Sequence, residues 1–119
     1  MPVLEITSHE LIVRLSFWET LASLQREIRI PLTEVRGATD DEGFRGAALG
    51  LRSPGTSIPG LLEAGTYRKH GARQFVYIAK GKHTVVIELS HKKWDRIILG
   101  VADARGEAAR INAAVEARR

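Results

Sequence analysis

The chain has 119 residues, a hydrophobic fraction of 44%, a charged fraction of 27% and a formal net charge of +4. That is room for one domain with its own core, and too balanced a composition for a disordered segment. Cysteine is absent, which excludes disulfides, thiolate metal sites and cysteine nucleophiles and fits a reducing compartment.

No apolar run nears the ~20 residues that span a bilayer. The start, Met1-Pro2-Val3-Leu4-Glu5, lacks the basic end and apolar stretch of a secretion signal, so the expected location is cytoplasmic. Leu11-Ile12-Val13-Arg14-Leu15 alternates as a strand with Leu11, Val13 and Leu15 on one face. Val3 to Ile6 is read as its partner, turning at Thr7-Ser8-His9. The period then changes. Ser16-Phe17-Trp18-Glu19 is a capping box, in which serine caps a helix start and glutamate reaches back to it. Trp18, Leu21, Ala22 and Leu24 follow as one apolar stripe of a helix of two to three turns.

Ile28, Ile30 and Leu32 alternate again. Pro31 cannot donate to a ladder, which places this strand at an edge or a bulge, and the parity shift from Leu32 to Val35 fits a bulge. The same strand is expected to run on to Asp40. Residues 43–60 contain five glycines and two prolines and read as a long structured loop, with Phe44, Leu49, Leu51 and Ile58 packing down. Four strands follow as a meander: Leu61 to Arg68, Arg73 to Ala79, Thr84 to Ser90 and Trp94 to Val101. Their turns are Lys69-His70-Gly71-Ala72, Lys80-Gly81-Lys82-His83 and His91-Lys92-Lys93. Asp103 is an N-cap for a closing helix with Ala104, Ala108, Ile111 and Val115 on one side. With no repeat or linker, residues 1–119 read as a single domain.

Residue patterns that carry chemistry are sparse. The histidines (His9, His70, His83, His91) share no ligand spacing and read as turn residues rather than a metal site. Asp40-Asp41-Glu42 reads as a solvated strand end rather than a catalytic pair. The serines lack a Gly-x-Ser-x-Gly elbow, and Gly43 to Gly50 lacks the Gly-Lys-Ser/Thr of a phosphate loop. Phe75, Tyr77 and Trp94 could stack nucleic-acid bases, but filling a small β core explains Phe75 and Tyr77 with less. The expectation is a non-enzyme with no metal and no cofactor.

The order of strands and helices resembles a bacterial pleckstrin-homology-like (PH-like) domain. The resemblance is carried by Ile28-Arg29-Ile30-Pro31-Leu32, Gly50-Leu51-Arg52-Ser53-Pro54-Gly55-Thr56, Ile58-Pro59-Gly60, Gly65-Thr66-Tyr67, Trp94-Asp95-Arg96 and the Asp103-led helix. It is similar to a group of small, single-domain bacterial PH-like proteins of unknown function. The resemblance implies a mostly β (α+β) fold. In it, a seven-stranded β-sandwich or partly open barrel has a short helix between strands 2 and 3 and a capping C-terminal helix. Phosphoinositide-binding PH domains carry a basic cluster at the first hairpin, whereas Thr7-Ser8-His9-Glu10 has no lysine or arginine. By analogy the resemblance implies a binding or scaffold domain engaging a protein partner or a second copy of the chain, with a homo-oligomer favoured.

An alternative comes from the turns. In an up-and-down meander alternate turns share a rim, which would gather Arg68, Lys69 and Arg73 with Lys92, Lys93 and Arg96, plus His70 and His91. Asp95 is the one acidic residue there. Such a rim could hold a weak anionic ligand, an acidic lipid headgroup or nucleic acid, against the plainer reading that hairpin-tip cations keep the domain soluble.

Overall fold

The structure is a computed structural model; it describes residues 2–23, 25–41, 51–58, 62–69 and 71–118, with 51–58 and 69 described by backbone. The elements are β1 (Val3–Ile6), β2 (Glu10–Arg14), α1 (Phe17–Ser23), β3 (Ile28–Pro31), a 3-10 turn (Leu32–Glu34), β4 (Val35–Asp40), β5 (Leu51–Ile58), β6 (Leu62–Lys69), β7 (Ala72–Ala79), β8 (His83–Leu89), β9 (Arg96–Val101) and α2 (Ala104–Ala117). The fold is mixed α+β and rich in strand. Two open sheets form, β1-β2-β3 and β4-β8-β9-β7-β6-β5, so the arrangement is not a closed barrel.

Several expectations change. The single strand expected from Ile28 to Asp40 is two strands in different sheets, because the 3-10 turn at Leu32–Glu34 redirects the chain where a bulge was expected. Pro31 ends β3, an edge strand, where its missing N–H leaves no gap in an inner ladder. The expected loop over 43–60 contains a strand: β5 pairs with β6, and the register slips between Arg52 and Gly55, which takes Pro54 out of the ladder. The rest of that stretch, with Phe44 and Leu49, lies outside the described residues, as do Leu24 and His70. Nine strands rather than seven are thus present among the described residues.

The last four strands are not a meander. β6 and β7 form a hairpin, but β9 inserts between β7 and β8, antiparallel to β8 and parallel to β7. Lys80-Gly81-Lys82 must therefore step over a strand, two spacings or about 9–10 Å, within reach of a three-residue link. Gly81 turns it with φ 80. Gly100 lies beneath the crossing: a Cβ there would sit 2.9 Å from Lys82 Cβ and 3.2 Å from Ile78 Cα.

One face of the large sheet (Phe75, Val85, Ile87, Ile97, Leu99) packs with Leu11, Val13, Ile28 and Ile30 of the small sheet into the main core. Ala104, Ala108, Ile111 and Val115 of α2 complete it, spaced along one helical stripe. Asp103 caps α2 by accepting from Gly106 N at 3.0 Å. The outer face of the small sheet is a charge ladder. Arg14 bridges Glu5 and Glu27, and Arg29 bridges Glu27 and Glu10, around the buried Ile12.

Candidate functional site

Because β7 and β9 run parallel, both begin at the same end of the large sheet. The start of β7, from Gly71 to Arg73, and the 90–95 segment that precedes β9 meet there. Asp95 joins them: its N–H donates to Arg73 O at 2.8 Å, and its Oδ2 accepts from Arg73 N at 2.7 Å. The acid of this region is therefore occupied by backbone. Arg68 and Arg73 are register partners and so point to one face. Lys93 lies on the neighbouring segment with Nζ 5.6 Å from the Trp94 ring centre. Lys92 is exposed beside it, and His91 Nδ1 accepts from Lys93 N at 3.1 Å.

Arg96 does not join them. Its register partner is Gln74, which alternation puts on the opposite face from Arg73. Its Nε pairs with Glu88 at 3.0 Å and its Nη1 reaches Gln74 Oε1 at 3.4 Å. Lys69 ends β6 beside Ala72. The Lys80-Gly81-Lys82 link lies at the far end of β7.

A second feature was not expected. The capping box forms as the sequence prescribes, with Ser16 N donating to Glu19 Oε1 at 2.8 Å and Glu19 N to Ser16 Oγ at 3.3 Å. Ser23 Oγ, one turn on, donates to Glu19 O at 2.8 Å. These bonds turn Glu19 and Ser23 inward, where both are buried. The burial of Tyr77, reinforced by the negative charge of Glu19, raises its phenol above the ordinary value of 10.0. With Glu19 and Ser23 inside, the stripe divides: Ala22 is half-buried against the core, while Trp18 and Leu21 face out with Phe17. Phe17 is 70% exposed, Trp18 75% and Leu21 50%, and the two rings stack edge to face 5.3 Å apart. The signal in the sequence was the polar pair Glu19 and Ser23, which at one-turn spacing defines a competing face of the same helix.

The aromatics considered for base stacking lie inside. Phe75 and Trp94 are buried and pack edge to face at 5.9 Å, and Tyr77 is buried with them. The exit of α1 borders the cationic segment: Gln25, Glu27 and Ile28 line one shallow groove with His91, Lys93 and Trp94. Arg26, in the same exit, is exposed and has no ion pair among the described residues. Another open cleft, between the last turn of α2 and the 3-10 turn, is lined by Leu32, Val35, Arg36, Ser90 and Arg118 among others. No group of three or more His, Asp or Glu is placed to hold a metal among the described residues, nor is any helix there long and apolar enough to cross a membrane. Comparison with protein-family models, curated proteins and solved structures finds no match to this chain.

Proposed function

We propose that the chain is a non-enzymatic interaction domain that docks through the end of the molecule carrying α1. The observation that carries this reading is the exposed Phe17, Trp18 and Leu21 set. Folding places them on the outside of a capped helix. Contiguous exposed apolar side chains of this size mark interaction surfaces far more often than isolated ones do. The PH-like classification is part of the same proposal. Two packed sheets closed by a C-terminal helix support it, and the insertion of β9 distinguishes this sheet from a simple meander.

Self-association is the weaker form of the proposal. β4, one edge of the large sheet, is already covered by Asn112 of α2, which bonds both Ala38 N and Ala38 O. At their observed exposure the α1 side chains offer about 300–400 Å², whereas a stable interface takes about 800 Å² from each partner. The test is a Trp18→Ser, Leu21→Ser variant produced in the native host at native level. The parent should sediment in a larger assembly or pelletable fraction. The variant, with unchanged circular dichroism, should move as the free 13.2 kDa chain. A parent that already travels as a free monomer refutes the reading.

A further inference from the structure

We infer that the occupant of the α1 face is an anionic bilayer surface, with Phe17, Trp18 and Leu21 entering the interfacial layer and Arg26, Lys92 and Lys93 facing the headgroups. This rests on the docking role proposed above and names its target. Shape is the first argument. The apolar side chains project from a seven-residue helix, and Phe17 and Trp18 are more than two-thirds exposed. They form a wedge rather than a groove, with about half the area that a protein partner requires. A bilayer needs no complementary pocket, and an indole sits well at its headgroup boundary, with an apolar body and one polar N–H.

Charge is the second argument. The groove shared by Gln25, Glu27, Lys93 and Trp94 puts the cationic segment against the exit of α1. Nearby acids are already engaged: Glu27 by Arg14 and Arg29, Asp95 by the Arg73 backbone. Arg26, Lys92 and Lys93 carry no ion pair among the described residues, so their charge remains available to phosphates. Each cation held near an anionic surface changes partitioning by about fivefold. An apolar wedge on α1, with free cations at the exit of the same helix, therefore supplies the two signals that reversible surface binding takes.

The experiment is co-sedimentation of the purified chain with vesicles of phosphatidylcholine alone or with about 30 mol% phosphatidylserine, at about 50 and 500 mM salt. The parent should bind the anionic vesicles at low salt and leave them at high salt. Its tryptophan emission should shift to the blue, a change assignable to Trp18 because Trp94 is only 3% exposed already. Trp18→Ser with Leu21→Ser should lower partitioning about tenfold or more, and so should Lys92→Glu with Lys93→Glu, in both cases without change in circular dichroism. Trp18→Phe should bind without the blue shift. Three results overturn the inference: no binding to anionic vesicles at low salt, binding untouched by the α1 variant, or light scattering that shows a dimer dissociated by Trp18→Ser. Absent vesicle binding combined with a host assembly that still needs Trp18 would leave the docking role standing and replace the lipid with a protein partner.

Discussion

Asn112 completes an edge strand with a side chain. Its amide offers an acceptor and a donor in the arrangement of a peptide group, and it meets Ala38 N and Ala38 O at 2.8 Å each. Asn112→Ala deletes both bonds. A net intramolecular hydrogen bond is worth about 0.5–1.5 kcal/mol, with the lower half applying where water can reach the freed groups. Asn112 is exposed, so the expected loss is about 1–2 kcal/mol, or about 3–6 °C of Tm per kcal/mol in a domain of this size. Urea denaturation should show the midpoint falling with an unchanged slope. The uncovered β4 should also make the variant associate as its concentration rises, as bare sheet edges do. Asn112→Asp separates the two bonds. The carboxylate still accepts from Ala38 N but faces the Ala38 carbonyl, and only its protonated form can donate there. Its folded pKa is therefore raised above the ordinary ~3.9. Stability tied to the proton is present below the unfolded pKa and lost as pH rises through the folded value. The Asp variant should approach the parent in acid and fall behind above about pH 4. A loss under about 0.5 kcal/mol for Asn112→Ala, or no acid recovery for Asn112→Asp, would refute the edge-capping argument.

Gly100→Val should destabilise by about 1–3 kcal/mol, since its Cβ meets Lys82 Cβ at 2.9 Å and the fixed Ile78 Cα at 3.2 Å. Lys82→Gly in the same chain should recover part of that loss, and thermal melts of both check it. Tyr77 is held neutral by burial and then by the charge of Glu19, so its folded pKa lies above 10.0. Its contribution to stability should fade as pH rises from about 10 through the folded value. Tyr77→Phe should flatten the alkaline limb of the stability curve and remove the late step in the absorbance titration of the phenols.

What the sequence shows best is what neighbouring residues decide. The Ser16–Glu19 box, the Asp103 cap and the alternation of Phe75, Tyr77, Val85, Ile87, Ile97 and Leu99 are local patterns, and each forms where its residues put it. β5 was hidden because Ser53-Pro54-Gly55 has the composition of a turn, and only pairing with β6 makes it a strand. The outward turn of Trp18 and Leu21 was hidden for another reason: a two-turn helix has too few residues for the apolar count to outweigh the bonds made by Glu19 and Ser23. No local pattern marks Asn112, whose meaning depends on a strand 74 residues away.

The two turns at one end show how far chain direction alone can carry an argument. Each hairpin or crossover reverses the chain, so β7 and β9 begin at the same end whether β8 lies between them or β9 is drawn in beside β7. Counting reversals therefore fixes which residues share a rim without fixing which strands are neighbours. Neighbours decide the rest. Alternation at the β7–β9 register sends Arg96 to the far face and into its pair with Glu88, while Arg73 stays with Arg68 on the face toward Trp94. The groove beneath Lys93 then places the His91–Trp94 segment next to the exit of α1. The charge pattern was legible one turn at a time, but the apolar wedge on α1 depends on packing that no single segment encodes.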